Sequence, residues 1–313
     1  MKTPFFSVVI PLYNKERHIK RTLDSVLEQS FSDFEIIIIN DGSTDDSLNI
    51  VEAFTDERIR VHSIENSGVS HARNYGIEKS NSEFIAFIDA DDVWKAHHLE
   101  DLKALIENFP NCGMYTKAYV RSYKNLDITS SYNTIPKDTH WRGILEDYFK
   151  ASMTNSIALT SAVLLTKTAW KHVGGFNTAF DSGEDTDLWI RTALKYDVAF
   201  DNKVSVVHYL DSDNKLTYKK LSDKTHASFS DYVEETTNDS LKAYLDLNRY
   251  AVGMQYKIEG HKQMANTYIE AIDVNNLSSA KRLSLKLPGF VLRLILGLRN
   301  GLRNLGFNLS LFR

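Results

Sequence analysis

Strand-like apolar runs alternate with helical patterns four times in the first 110 or so residues of this 313-residue chain. Phe6 to Leu12 (FSVVIPL) and Phe34 to Ile39 (FEIIII) are continuous and rich in β-branched residues, as a strand buried on both faces requires. Arg60 to Ile64 and Phe84 to Ile88 (FIAFI) supply two more. Between them Ile19, Leu23, Val26 and Leu27 recur at helical spacing, with Asn14 as the expected cap of a helix reaching about Glu28. Leu48, Val51 and Phe54 follow a cap at Thr44 or Asp45, and helices are expected over Ser70 to Ser80 and His97 to Phe109. Strands and helices in strict alternation predict an α/β fold, a mostly parallel sheet with helices on both faces.

In such sheets ligands gather at the carboxyl ends of the strands. Three polar clusters fall there: Tyr13-Asn14, Asp41-Gly42-Ser43 and Asp89-Ala90-Asp91-Asp92. Several carboxylates beyond one buried strand repel each other, and a hard divalent cation, Mg²⁺ or Mn²⁺, relieves the repulsion. The alternative is an acidic turn capping the next helix, a role that suits Asp92. Asp41 has two readings, an acceptor for a nucleobase N–H or plain turn chemistry. Tyr13 has two as well, stacking on a base or packing under a loop. Arg73 offers its charge to a diphosphate or to a surface ion pair.

Further along, Met114 to Tyr123, Ala162 to Thr166 and Val204 to Leu210 read as strands, and Lys167 to Val173 and Glu184 to Tyr196 as helices. Asp127 to Arg142 reads as polar loop. Glu184-Asp185 opens its helix behind Asp181-Ser182-Gly183, a place that acids favour through the helix dipole and that also suits a general base for a hydroxyl. His208 is a metal ligand or a structural strand histidine. After about residue 212 only helices are expected, near Tyr218 to Glu235, Asp239 to Glu259 and Lys262 to Ile272. Residues 1–212 therefore form one domain and 213–313 a helical region.

Bulk composition narrows the partners. The net charge of -4, with 25% charged residues, shows no excess directed at nucleic acid. The lone cysteine, Cys112, excludes an internal disulfide framework, fits a reducing compartment such as the cytoplasm, and reads as an ordinary apolar residue. Lys2 before Phe5 to Tyr13 imitates a signal peptide, but Pro11 and the charged run from Lys15 to His18 favour a strand, and no window is apolar enough to span a membrane. From Val274 onward there are seven Lys or Arg and no Asp or Glu. From about residue 280, Leu283, Phe290, Leu294 and Leu298 are interleaved with Arg293 and Arg299, a basic amphipathic pattern for an anionic membrane surface or for packing on protein, including a second copy in a homo-oligomer.

Five segments, taken in order, resemble the inverting glycosyltransferase family 2 with its GT-A fold. They are Ser7 to Asn14, Ile39 to Asp45, Gly68 to Gly76 with Ala72-Arg73-Asn74, Phe87 to Asp92, and Gly183 to Trp189. The resemblance covers residues 4 to 210 or so. It implies a nucleotide-diphosphate-sugar donor, most commonly of uridine, and a glycan or lipid-linked acceptor, in surface polysaccharide or glycoconjugate synthesis. Pro11, Tyr13, Asp41, Arg73, Asp89 and Ala90 would face the nucleotide sugar. Asp91, with Asp89 and His208, would hold Mg²⁺ or Mn²⁺. Asp185 matches the catalytic base, with Glu184 beside it. The chain lacks the Gln-x-x-Arg-Trp segment and membrane helices of processive synthases, which implies transfer of single sugars; the place expected from the lone cysteine is cytoplasmic, peripheral on the inner membrane face if the tail docks there. A sugar nucleotidyltransferase would need a glycine-rich basic loop where Pro11-Leu12-Tyr13-Asn14 stands. A receiver-like domain leaves the region around 185 unexplained. A catalytically inactive nucleotide-sugar binder remains the alternative.

Overall fold

A computed structural model describes residues 3–124, 126–136, 140–213 and 223–304, with side chains to residue 298. The chain divides into two compact units, Met1–Tyr218 and Lys219–Arg313.

The first unit is built on one sheet. Its strands are β1 (Phe6–Leu12), β2 (Phe34–Asp41), β3 (Ile59–Ile64), β4 (Phe84–Phe87), β5 (Val93–Trp94), β6 (Met114–Tyr123), β7 (Leu126–Thr129), β8 (Arg142–Ile144), β9 (Val163–Thr166) and β10 (Val198–Tyr209). The spatial order is β3-β2-β1-β4-β9-β6-β10-β5, with β7 added beside β6 and β8 beside β10. β3, β2, β1 and β4 are mutually parallel, as are β6 and β10. The helices of this unit are α1 (Ile19–Leu27), α2 (Ser47–Glu52), α3 (Val69–Lys79), α4 (His98–Asn108), α5 (Tyr148–Ala151), α6 (Lys167–Val173) and α7 (Glu184–Ala193). Parallel strands need crossovers, and α1, α2 and α3 supply them.

Burial explains the apolar runs. Val8, Ile10, Ile36 and Ile38 share one core with Ile19, Leu23 and Val26 of α1 and with Leu99, Leu102 and Leu105 of α4. On the opposite face α3 lies so close to β1 that a Cβ at Gly76 would stand 2.5 Å from Val9 Cγ1. Chain reversal between β3 and β4 puts β4 beside β1. The carboxyl ends of β1 and β4 thus flank the switch point where ligands bind in open α/β sheets.

Several expectations are corrected. Asn14 does not cap α1: it sits in the left-handed region (φ 50°) and accepts from the Thr44 N–H through its side chain, so the helix starts at Ile19 behind His18. Helix α2 begins at Ser47, with Asp46 and not Thr44 or Asp45 at its N-cap position. The polar segment from 127 to 142 is not all loop, because β7 and the start of β8 pair onto β6 and β10 there. β9 is antiparallel to both neighbours, β4 and β6, and β10 starts at Val198, six residues before the expected Val204. α7 ends at Ala193.

The second unit contains α8 (Asp239–Glu259), α9 (Lys262–Ile269), α10 (Ser279–Lys286) and α11 (Gly289–Asn304). Tyr250 and Met254 of α8, Ile272, Leu277 and Leu292 form its small core. The helix expected near Tyr218 to Glu235 partly falls outside the described residues, and between 223 and 236 no α-helix forms, the chain making a 3₁₀ turn at Val233–Thr236. The side chains of Arg299, Leu302 and Arg303 also lie outside the described residues.

Candidate functional site

The rim is assembled by one buried arginine and one buried aspartate. Arg73 projects from α3 and is 4% exposed. One of its terminal nitrogens donates to Asp89 Oδ1 at 2.8 Å, the other to Glu184 Oε1 at 2.9 Å. A single guanidinium therefore ties the end of β4 to the start of α7. Burial works against its charge, but Asp89, Glu184 and Asp185 outweigh burial and raise its pKa above the usual arginine value. Glu184 is desolvated and faces the charge of Asp185, which lifts its carboxyl to about 7 despite Arg73. Glu184 thus faces inward, holding the arginine, and it is Asp185 that stands at the helix mouth. Asp185 Oδ1 accepts from its own helix at Thr186 N (2.6 Å), and Oδ2 accepts from Thr160 Oγ1 (3.2 Å). Gly183 precedes them in the left-handed region (φ 79°), a turn that glycine makes without strain.

Asp92 organises the other side. Its carboxylate is fully buried and accepts from Ser161 Oγ (2.6 Å), His208 Nδ1 (3.0 Å) and the Tyr209 N–H (3.2 Å). Ser161 Oγ also accepts from the Asp89 N–H at 3.1 Å, so this one hydroxyl spans the turn from Asp89 to Asp92. Asp92 does not cap α4, whose N-cap position is His97; it anchors the far end of β10 instead.

Asp91 is buried between two cations that sequence reasoning missed. Lys15 Nζ lies 2.9 Å from Asp91 Oδ2, and Arg21 donates to the main-chain oxygen of Asp91 at 3.2 Å while its guanidinium lies 3.8 Å from the Tyr209 ring centroid. The signal for Lys15 was the charged run from Lys15 to His18 directly beyond β1, whereas Arg21 lies within α1. Ser161 and Thr160 carried no signal, because β9 was not expected beside β4.

At the end of β2, Asp41 is buried, and its two oxygens accept from the backbone N–H groups of Ser67 (2.8 Å) and Gly68 (3.0 Å). Burial pushes its carboxyl up, and those two hydrogen bonds and His71 pull against it. Asp41 therefore shapes the loop before α3, and a base would have to use its remaining lone pairs. Pro11 is half-buried in β1, Tyr13 is exposed beyond it, and Ala90 is buried under the turn. Cys112 is buried and its thiol is pushed up to about 11, which removes it from nucleophilic chemistry.

Among the described residues no group of three or more His, Cys, Asp or Glu side chains is gathered as a metal cage. A magnesium-type site needs no such cage, since one or two carboxylates suffice when phosphates and water complete the shell. Asp89, Asp91 and His208 are not gathered as a group of three, and one or two of them could supply that partial set. The carboxylate–imidazole pair of Asp92 and His208 is the arrangement that orients histidine ligands, so the donor chemistry fits.

Comparison with known proteins agrees with this architecture. Putative glycosyltransferase EpsH of Bacillus subtilis is 32% identical over 169 residues, 52% of this chain and 49% of that protein. Hyaluronan synthase of Pasteurella multocida is 26% identical over 223 residues, 70% of this chain and 22% of that protein. The chain thus spans half or less of the length of these relatives. The crystal structure of S. aureus TarS 1–349 in complex with UDP-GlcNAc superposes with a TM-score of 0.57 at 18% identity, over 89% of this chain and 78% of that one. The model of the family described as Glycosyl transferase family 2 matches residues 7–163, just over half of the chain, and includes Asp41, Arg73 and Asp89 to Asp92. This chain belongs to glycosyl transferase family 2.

Proposed function

We propose that the chain is an inverting, metal-dependent glycosyltransferase that moves one sugar at a time from a nucleotide-diphosphate sugar to an acceptor hydroxyl. One observation carries the reading: Arg73 links Asp89, at the end of β4, to Glu184, the chain neighbour of Asp185. A donor-side carboxylate and a candidate base are thereby braced by one buried cation. The UDP-GlcNAc bound by TarS favours a uridine donor here. Named relatives such as hyaluronan synthase favour a glycan product.

The roles follow from the side chains. Tyr13 and Asp41 border the nucleoside, Asp41 chiefly by holding the loop at Ser67-Gly68. Asp91, with Asp89 or His208 beside it, would hold Mg²⁺ or Mn²⁺, which supplies charge neutralisation of the leaving diphosphate when bound. Asp185 accepts the proton of the acceptor hydroxyl as that oxygen attacks the anomeric carbon from the face opposite the leaving group, and one displacement inverts the centre. Thr160 and the Thr186 N–H fix the orientation of the carboxylate. Asp185→Asn tests this. Donor binding by calorimetry should be retained while turnover falls by about 10²–10⁴; undiminished turnover would remove the base assignment.

The second unit has its own surface. Phe290, Leu294 and Leu298 of α11 follow one another at helical spacing and are 59%, 63% and 70% exposed. Arg282, Lys286 and Arg293 are exposed nearby, and the segment carries no acid. A stripe of this chemistry suits an anionic membrane surface, where the apolar residues enter the headgroup boundary and the cations meet lipid phosphates. No helix among the described residues is long and apolar enough to cross a membrane.

A further inference from the structure

Two cations stand on carboxylates of the metal reading, Arg73 on Asp89 and Lys15 on Asp91, and Lys15 is the one on the carboxylate that reading relies on most. Its ammonium lies 2.9 Å from Asp91 Oδ2, with the two side chains 12% and 8% exposed. A divalent ion that uses this carboxylate must share or displace that ammonium. The surroundings favour displacement. The Lys15 backbone is fixed, since its N–H donates to Ser47 Oγ at 2.7 Å, but only the flexible stem determines where the head goes. The head also donates to the main-chain oxygen of Asp213 at 2.9 Å, in the segment just beyond β10. Asp213 is itself held by Arg17 at 3.1 Å and by His18. Arg21 contrasts with this: it stacks on Tyr209 and bonds to the backbone of Asp91, so it does not occupy the carboxylate.

We propose that Lys15 is a resident counter-cation of Asp91, competing with the divalent ion for this carboxylate and turning to the donor's diphosphate once displaced. The inference rests on the reading of Asp91 as a metal-binding carboxylate. It follows that the ion and the donor bind cooperatively: the ion alone must evict a cation, whereas ion and diphosphate together give that cation a new anionic partner. Linkage makes the coupling reciprocal, so each should tighten the other.

Mn²⁺ binding to the full chain, followed by electron paramagnetic resonance without nucleotide, tests the first half. Lys15→Met should bind Mn²⁺ several-fold to roughly tenfold more tightly than the unaltered chain, because the competitor is gone. Calorimetry with UDP in saturating Mn²⁺ tests the second half. Lys15→Met should bind UDP roughly tenfold more weakly, and Lys15→Arg, which keeps a cation, should recover most of that loss. Equal or weaker Mn²⁺ binding by Lys15→Met overturns the competition, and equal UDP affinity overturns the transfer to diphosphate. If the unaltered chain binds Mn²⁺ and UDP yet Lys15→Met binds the ion no better, only the role of Lys15 falls. If neither protein binds either probe, the metal reading of Asp91 falls with it.

Discussion

Replacing Glu184 by Gln should change how stability depends on pH, and the size of the effect follows from where the carboxyl sits. In the folded chain Glu184 is buried against Asp185 and Arg73, and its pKa is raised from 4.5 to about 7. The unfolded chain loses this proton near the ordinary value, so between those two pH values the folded state binds more protons. Stability contributed by the protonated group is complete below pH 4.5 and is lost as pH rises through 7. A shift of that size corresponds to about 3 kcal/mol, a large share of the 5–15 kcal/mol that typical domains possess. Glutamine has the shape of the protonated acid and does not titrate. Urea unfolding from pH 5 to pH 8, without divalent ions, should show the unaltered protein losing about 2–3 kcal/mol from this group and Glu184→Gln losing correspondingly less. Identical pH profiles for the two proteins would refute the assignment of the raised pKa to this carboxyl, and with it the view that Glu184 is an inward brace for Arg73.

The buried ion pair of β6 and β10 gives a second stability test. Lys117 and Asp201 are both 0% exposed in their side chains and 2.8 Å apart, and Lys117 also meets Asp101 at 2.9 Å. Lys117→Met leaves two carboxylates short of a cation and should cost about 3–5 kcal/mol in urea unfolding; a loss under about 1 kcal/mol would show that Arg142, 3.1 Å from Asp201, and Lys203, 3.1 Å from Asp101, compensate. In the second unit, replacing Phe290, Leu294 and Leu298 together by Ser in the full chain should abolish flotation with vesicles containing phosphatidylserine. Flotation equal to that of the unaltered chain would remove the membrane reading.

The architecture was legible where burial leaves a local mark. Strands covered on both faces need unbroken runs such as FEIIII, and helices with one buried face need spacing such as Ile19, Leu23 and Val26. The turns at Asp41 and at Asp89 to Asp92 were legible for the same reason, as polar residues ending apolar runs. β9 was recognised as a strand, but its direction and its place between β4 and β6 were not, because neither leaves a trace in four residues. β7 and β8 were missed because edge strands lie partly in solvent and keep polar residues.

Partnerships were the part withheld. Nothing along the chain says that Arg73 should face Glu184, 111 positions away, or that Ser161 should bridge the two ends of the acidic turn. Those contacts exist because the spatial order of the strands differs from their order in sequence, which brings distant segments to one rim. Local periodicity therefore determined the elements and the edge at which chemistry gathers. Only the tertiary structure decided that Asp92 is an anchor, that Glu184 turns inward and that Lys15 occupies Asp91, since each depends on which charges are desolvated together.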